Sequence, residues 1–216
     1  MDIIYLGISA FRIKGKSASV VTDPFSPSFT GLKFPKTEAD IVTISHDHQD
    51  HSYVQGIEGE PFVINNPGEY EINGVSIFGF SSLHNTKSHP DLGKNIIYLI
   101  EMDGVRICHL GDLGSSPASE VLEEIIETDI LMIPVGGDFT AGPKEAADIV
   151  GKIEPKIIIP MHYKLEGMAE GYAKLSSVED FVKEMGLDGA ETLDKLAVNK
   201  DRLPQETKII ILEKKS

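Results

Sequence analysis

Ser45-His46-Asp47-His48-Gln49-Asp50-His51 places three histidines and two aspartates within six consecutive positions. Neutral imidazole and carboxylate are the ligand types that hold zinc and related divalent ions. The preceding run, Ala39-Asp40-Ile41-Val42-Thr43-Ile44, is mostly apolar and reads as a buried strand. A strand that stops and then presents such groups would fix them in place. The alternative is a polar loop that happens to be histidine-rich, yet three of the chain's seven histidines sit here.

Four further segments repeat the form, each ending a strand-like run in a histidine, an aspartate or a glycine pair. They are Ser82-Leu83-His84, Cys108-His109-Leu110-Gly111-Asp112, Ile133-Pro134-Val135-Gly136-Gly137 and Ile158-Ile159-Pro160-Met161-His162-Tyr163. Convergence of those ends would bring distant residues to one place.

The elements that must position them follow from periodicity and turn chemistry. Residues 2–14 and 18–22 read as a hairpin turning at Lys14-Gly15-Lys16-Ser17, broken afterwards by Asp23-Pro24. Pro61 to Asn65 is a short strand. Asn73-Gly74 joins strands 70–72 and 75–80, and Asp103-Gly104 joins 95–102 and 105–110. The second half alternates: helix 119–128, strand 129–134, helix 143–152 opening at Pro143, strand 156–161. Helix 178–185, capped by Ser176 or Ser177 and ended by Gly186, precedes a last strand at 208–212. This is an α+β pattern compatible with several folds.

A length of 216 residues fits one domain, 1–216, with a substantial core. No apolar run is long enough to span a bilayer and no basic leader opens the chain, so no membrane partner is expected. One cysteine, Cys108, rules out an internal disulfide framework, and these features together favour the cytoplasm. A net charge of −14 repels phosphate backbones and disfavours nucleic acid as a partner. A locally positive metal site could still take a small anionic substrate. The sequence leaves a homo-oligomer open.

The histidine-rich stretch resembles the H-x-H-x-D-H signature of the metallo-β-lactamase superfamily, and His84, Asp112 and His162 fall in that superfamily's later order of His, Asp, His. The chain is most similar to its short, single-domain branch, which contains the ascorbate-6-phosphate lactonases. The likeness includes Thr22-Asp23-Pro24, residues 66–71 (Asn-Pro-Gly-Glu-Tyr-Glu), residues 109–114, Pro134-Val135-Gly136-Gly137 with Thr140, and Pro160-Met161-His162-Tyr163. It departs at Gly7-Ile8-Ser9, where relatives often carry Gly-His-Ser, and in the loop after His84. The resemblance implies a four-layer αββα sandwich. It implies a first ion held by His46, His48 and His84, a second held by Asp50, His51 and His162, and Asp112 bridging them, with Asp50 and Asp112 catalytic.

Two divalent ions so close repel, so a bridging carboxylate and a bridging hydroxide between them are expected, and the hydroxide would attack a small ester, lactone or phosphoester. Zinc is the first expectation, with manganese or iron also accepted by such donors. The alternatives are a phosphodiesterase or nuclease of the same fold, or a non-catalytic metal-binding sensor or scaffold. Several residues stay open: Asp47 orients a histidine or is exposed, and Asp23 holds a ligand histidine or caps a turn. His109 faces away from Asp112 or supports it, His89 is an exposed loop histidine, and Gly136-Gly137 admit substrate or permit a tight turn.

Overall fold

The computed structural model describes residues 1–187 and 189–216. The chain opens with β1 (Asp2–Gly7), β2 (Ala10–Lys14) and β3 (Ser19–Thr22), then α1 (Pro27–Thr30), β4 (Thr37–Glu38), β5 (Ile41–Thr43), β6 (Ile57–Glu58) and β7 (Phe62–Ile64). A long meander follows: β8 (Gly68–Ile72), β9 (Val75–Leu83), β10 (Lys94–Met102) and β11 (Val105–His109). Helices then alternate with strands: α2 (Ser119–Ile125), β12 (Ile130–Pro134), α3 (Pro143–Ile153), β13 (Ile157–Met161) and α4 (Val178–Met185). The chain closes with β14 (Ala190–Leu193), β15 (Leu196–Ala197) and β16 (Lys208–Leu212).

Two sheets result. One has six strands in the order β15-β1-β2-β3-β5-β7, the other eight in the order β14-β16-β13-β12-β11-β10-β9-β8, and β4 pairs with β6 separately. The period-2 alternation of the first sheet sorts its side chains by face. Ile3, Tyr5, Phe11, Ile13, Val20, Ile41 and Ile64 join the core shared with the second sheet. Leu6, Ile8, Val21 and Val42 face outward, where Phe25, Leu32 and Ile57 cover them. In the second sheet β12 and β13 run parallel and are wholly buried, as expected of strands covered on both faces. Each fully buried isoleucine or leucine there contributes about 1.5–3 kcal/mol.

The helical layers are lopsided. α3 buries Ala146, Ile149, Val150 and Ile153, an i, i+3, i+4, i+7 stripe, and packs against both α2 and α4. The outer face of the six-stranded sheet is instead covered from the segments on either side of β5, by Phe25, Leu32 and Phe34 around the single-turn α1 and by Val54 and Ile57. Among the described residues no helix is long and apolar enough to cross a membrane.

The segment read as one strand over 2–14 is two. β1 and β2 form a hairpin through Ile8, which holds a left-handed backbone (φ 55°) despite its β-branch. That conformation costs a residue of this type about 1–3 kcal/mol, and such strain concentrates at functional sites. The helix expected over 119–128 ends at Ile125, because Ile126 is already extended and Glu127 has a positive φ.

At the end of the sandwich where β12 and β13 begin, Asp129 is buried but well satisfied. Its carboxylate accepts from Lys156 Nζ (2.9 Å), Lys200 Nζ (2.6 Å) and the Arg106 amide (3.0 Å). Burial pushes this carboxyl up, but the Arg106 amide and the two ammoniums outweigh it and hold the pKa below the ordinary 3.8. A lowered folded-state pKa gives stability that is present above the unfolded value and lost as pH falls through the folded one. Asp129→Asn should therefore lower Tm by about 2–12 °C at neutral pH, equivalent to about 1–3 kcal/mol. The difference from wild type should shrink below about pH 4. A thermal-melt series against pH checks this, and a pH-independent difference would count against the charge.

Candidate metal centre

β5 stops at Thr43 and the chain turns over Asp23. The Ser45 amide donates to Asp23 Oδ1 (2.7 Å), and Ser45 Oγ and the His51 Nδ1–H both donate to Asp23 Oδ2 (2.6 and 2.9 Å). The amides of His51 and Ser52 then donate to the His48 carbonyl and close a tight turn. This turn brings His46, His48, Asp50 and His51 to one end of the six-stranded sheet. The eight-stranded sheet contributes His84 just after β9, Asp112 three residues beyond β11 and His162 just after β13. The site therefore spans the junction of the two sheets.

Asp112 Oδ2 is its centre, lying 3.0 Å from His51 Nε2, 3.1 Å from His84 Nε2, 3.3 Å from His162 Nε2 and 3.9 Å from His46 Nε2. Asp50 Oδ2 is 3.6 Å from His51 Nε2 and 3.9 Å from His162 Nε2. Donor atoms of His46, His48 and His84 all lie within 4.8 Å of one another, as do those of Asp50, His51 and His162. A third such group, His46, His51 and Asp112, joins the two triads. All seven residues singled out from sequence are thus brought together.

The fit to a metal can be tested on unpartnered atoms. His51 Nε2, His84 Nδ1 and both ring nitrogens of His162 are buried without a hydrogen-bond partner. Such atoms cost about 1–3 kcal/mol each when nothing satisfies them. Convergent imidazole nitrogens and carboxylate oxygens, with three of the histidines and Asp112 almost wholly buried, suit one or more divalent ions.

The electrostatics are divided. Burial, with the charge of His51 beside it, pushes the His46 imidazole down to about 3. Burial and the neighbouring His84 also lower His48. Burial acts downward on His51 too, but the carboxylates of Asp112 and Asp50 outweigh it and raise its pKa well above the ordinary value. His162 is raised in the same way, chiefly by Asp112. Asp112 is itself held well below the carboxylate range because His162 and His51 outweigh its burial.

The surrounding residues divide as follows. Asp23 orients His51 and so takes the first of its two readings. Asp47 is exposed. His109 is buried and is not among the converging donors: its Nε2–H donates to the Ser9 carbonyl (2.8 Å), and its Nδ1 accepts from the Gly111 amide (3.2 Å). Ser9 Oγ in turn reaches Asp112 Oδ1 at 3.4 Å. The Ile8 side chain packs in the outer apolar cluster, yet its carbonyl accepts from the His162 amide (2.8 Å). A Cβ at Gly136 would overlap the His162 carbonyl, so this glycine serves a close backbone approach. His89, read as an exposed loop histidine, is only partly exposed: it ties its loop to Asp138 (3.1 Å) with its ring against Phe139, and it is not among the converging donors.

Tyr172 was not indicated by the sequence. It ends a single 3-10 turn, Glu170–Tyr172, and its hydroxyl donates to Asp50 Oδ2 at 2.8 Å. No spacing pattern marks it. Phe29, Leu92, Phe139 and Tyr172 line a cavity of about 450 Å³ that opens on His48, Asp50, His84, Asp112 and His162. A second hollow of about 700 Å³, with Asn65, Asn66, Ser81, Ser82 and Lys94 in its wall, adjoins it across His48 and Leu92.

Known proteins share this sequence and shape. Residues 2–162 match the family described as "Beta-lactamase superfamily domain". A UPF0173 metal-dependent hydrolase of Thermococcus onnurineus is 33% identical over 193 residues, covering 76% of this chain and 84% of the relative. A UPF0173 protein of Pyrococcus abyssi is 34% identical over 199 residues, covering 81% and 90%. A solved structure of a metallo-β-lactamase superfamily protein from Thermotoga maritima superposes with a TM-score of 0.81 at 37% identity, covering 98% of this chain and 97% of the other. The matched residues include β1 to β13 and every converging donor. The chain belongs to the metallo-β-lactamase superfamily, among its UPF0173 metal-dependent hydrolases.

Proposed function

We propose that residues 1–216 form one hydrolase domain that works in the cytoplasm with two divalent ions, zinc first among them. His46, His48 and His84 would hold one ion, Asp50, His51 and His162 the other, and Asp112 both. The observation that carries this reading is the pair of donor triads, each within 4.8 Å, with Asp112 Oδ2 between them. When bound, such ions supply Lewis acidity and a water acidified enough to act as nucleophile near neutral pH.

The chain's own residues supply the rest. Asp23 and Ser45 orient the histidine-rich turn, and Tyr172 holds Asp50. Lys94 belongs to the wall of the adjoining hollow, but among the described residues no lysine or arginine lines the cavity of about 450 Å³, where Phe29, Leu92, Phe139 and Tyr172 stand. That lining supports a small ester or lactone with an apolar or aromatic part over a phosphoester, for which cationic side chains would be expected.

The test is turnover by metal-loaded protein on matched aryl esters, lactones and phosphodiesters. Esters or lactones should lead in kcat/KM, and the first turnover in oxygen-18 water should place the label in product. Phosphodiesters leading would overturn the substrate class. A trapped acyl-enzyme would overturn attack by water, and no turnover on any substrate would favour a sensor or scaffold.

A further inference from the structure

The start of β10 touches three of the four turns that carry converging donors. The Gly93 carbonyl accepts from the His84 amide (3.0 Å), and the Ile96 amide donates to the Ser45 carbonyl (2.9 Å) at the root of the histidine-rich turn. Between them, Asn95 reaches the Asp112 turn with its side chain. The reason lies in the ladder. β10 and β11 pair antiparallel only as far as Tyr98 and His109. Beyond that point Leu110 keeps one strand bond, its amide donating to the Met132 carbonyl of β12 (3.1 Å), while on the β10 side Leu110, Gly111 and Asp112 leave the ladder, Gly111 with a left-handed backbone (φ 57°).

The Asn95 carboxamide supplies what the ladder no longer does. Its Oδ1 accepts from the Asp112 amide (3.0 Å), and its Nδ2 donates to the Leu110 carbonyl (2.9 Å) and to Ser82 Oγ (2.8 Å). Ser82 Oγ in turn donates to the Asn95 carbonyl (3.1 Å). One planar group thus offers a donor and an acceptor to residues 110 and 112, as a peptide unit of an adjacent strand would. Asn95 is buried, both of its Nδ2 protons are used, and the network fixes which end is oxygen. The fit is tight: a Cβ at Gly111 would overlap Asn95 Oδ1 and the Ser45 side chain.

We infer that Asn95 is the positioning residue that sets the Asp112 carboxylate between the two triads, resting on the binuclear reading above. Losing it would let Asp112 swing away from one triad without removing any donor from the site. The expected signature is loss of communication between the ions rather than loss of substrate binding.

Manganese-loaded protein provides the readout, because exchange-coupled and isolated Mn²⁺ ions give different electron paramagnetic resonance spectra. Asn95→Leu keeps the approximate volume and removes the three hydrogen bonds of the carboxamide. It should lose the coupled signal or the second ion, and kcat should fall by about 10–100-fold with KM changed little. Asn95→Asp keeps an acceptor for the Asp112 amide and should recover part of both the coupling and kcat. A coupled two-ion spectrum with near-normal kcat in Asn95→Leu overturns the inference. So does an Asn95→Asp protein no better than Asn95→Leu, with coupling, kcat and Tm falling together, since that is a purely structural role. Wild-type protein holding a single uncoupled ion would instead overturn the binuclear reading, and this inference with it.

Discussion

Asp112→Ala should reduce hydrolysis by about a thousandfold or more and lower metal content below that of wild type. Its carboxylate is within 3.0–3.3 Å of His51, His84 and His162 and is the group that joins the two triads. Losses of that size are typical when a residue acts as part of a unit rather than alone. Elemental analysis of protein purified without chelator, beside kcat on the best substrate found, gives both numbers. Asp112→Asn separates charge from shape: it retains an oxygen at the centre but not the negative charge that would offset the repulsion of two bound ions, so occupancy should still fall. Full occupancy by two ions in Asp112→Ala would refute the shared-ligand role.

Removing the metal should abolish activity, and the return of the ions should be governed by pH. Without metal, the carboxylates of Asp112 and Asp50 raise His51 and His162, so these rings keep their protons above the ordinary 6.5. That arrangement stabilises the metal-free fold fully below about 6.5 and is lost as pH rises through the raised values. An ion must displace those protons, so affinity at the Asp50–His51–His162 triad should rise with pH by about tenfold per unit for each proton released. His46, held at about 3, is already neutral and gives up no proton to an ion. Calorimetric titration in buffers of different ionisation enthalpy should show the first equivalent binding with little proton release and the second with one to two protons. Mildly acidic protein should hold one ion where alkaline protein holds two. Equal, pH-independent affinities would contradict the division of charge.

What could be read in the sequence followed the strength of local signals. The strand pairs joined by Asn73-Gly74 and Asp103-Gly104 form as expected, because both turns need two left-handed residues and these pairs supply them at little strain. α4 keeps its expected bounds because Ser177 and Asp180 form a capping box and Gly186 ends it left-handed. α2 has no cap at either end and its extent was misjudged. The break at Ile8 was invisible, since a β-branched residue argues for continued strand and the turn is held by the distant His162. The two-residue strands β4, β6 and β15 are too short to show a period. At the site, the histidines and aspartates stood out by spacing and order. Asn95, Ser9 and Tyr172 did not, because a supporting hydrogen bond needs only reach and leaves no repeat in the chain.

The donors are divided between two sheets, four on the six-stranded and three on the eight-stranded one. An ion held by His46, His48 and His84, or through Asp112 to His51, would act as a rivet through the sandwich. Such a rivet cannot be set early. His46 and His84 meet only when the sheets have docked, so on this reading a growing chain has no complete cage to offer and ions would be captured after folding. Loading would then depend on whichever divalent ion the finished protein meets, and two proteins of identical sequence raised on different metal supplies would become different enzymes. Once set, the rivet resists shear between the sheets, adding about 4 kcal/mol when free ion stands a thousandfold above its dissociation constant.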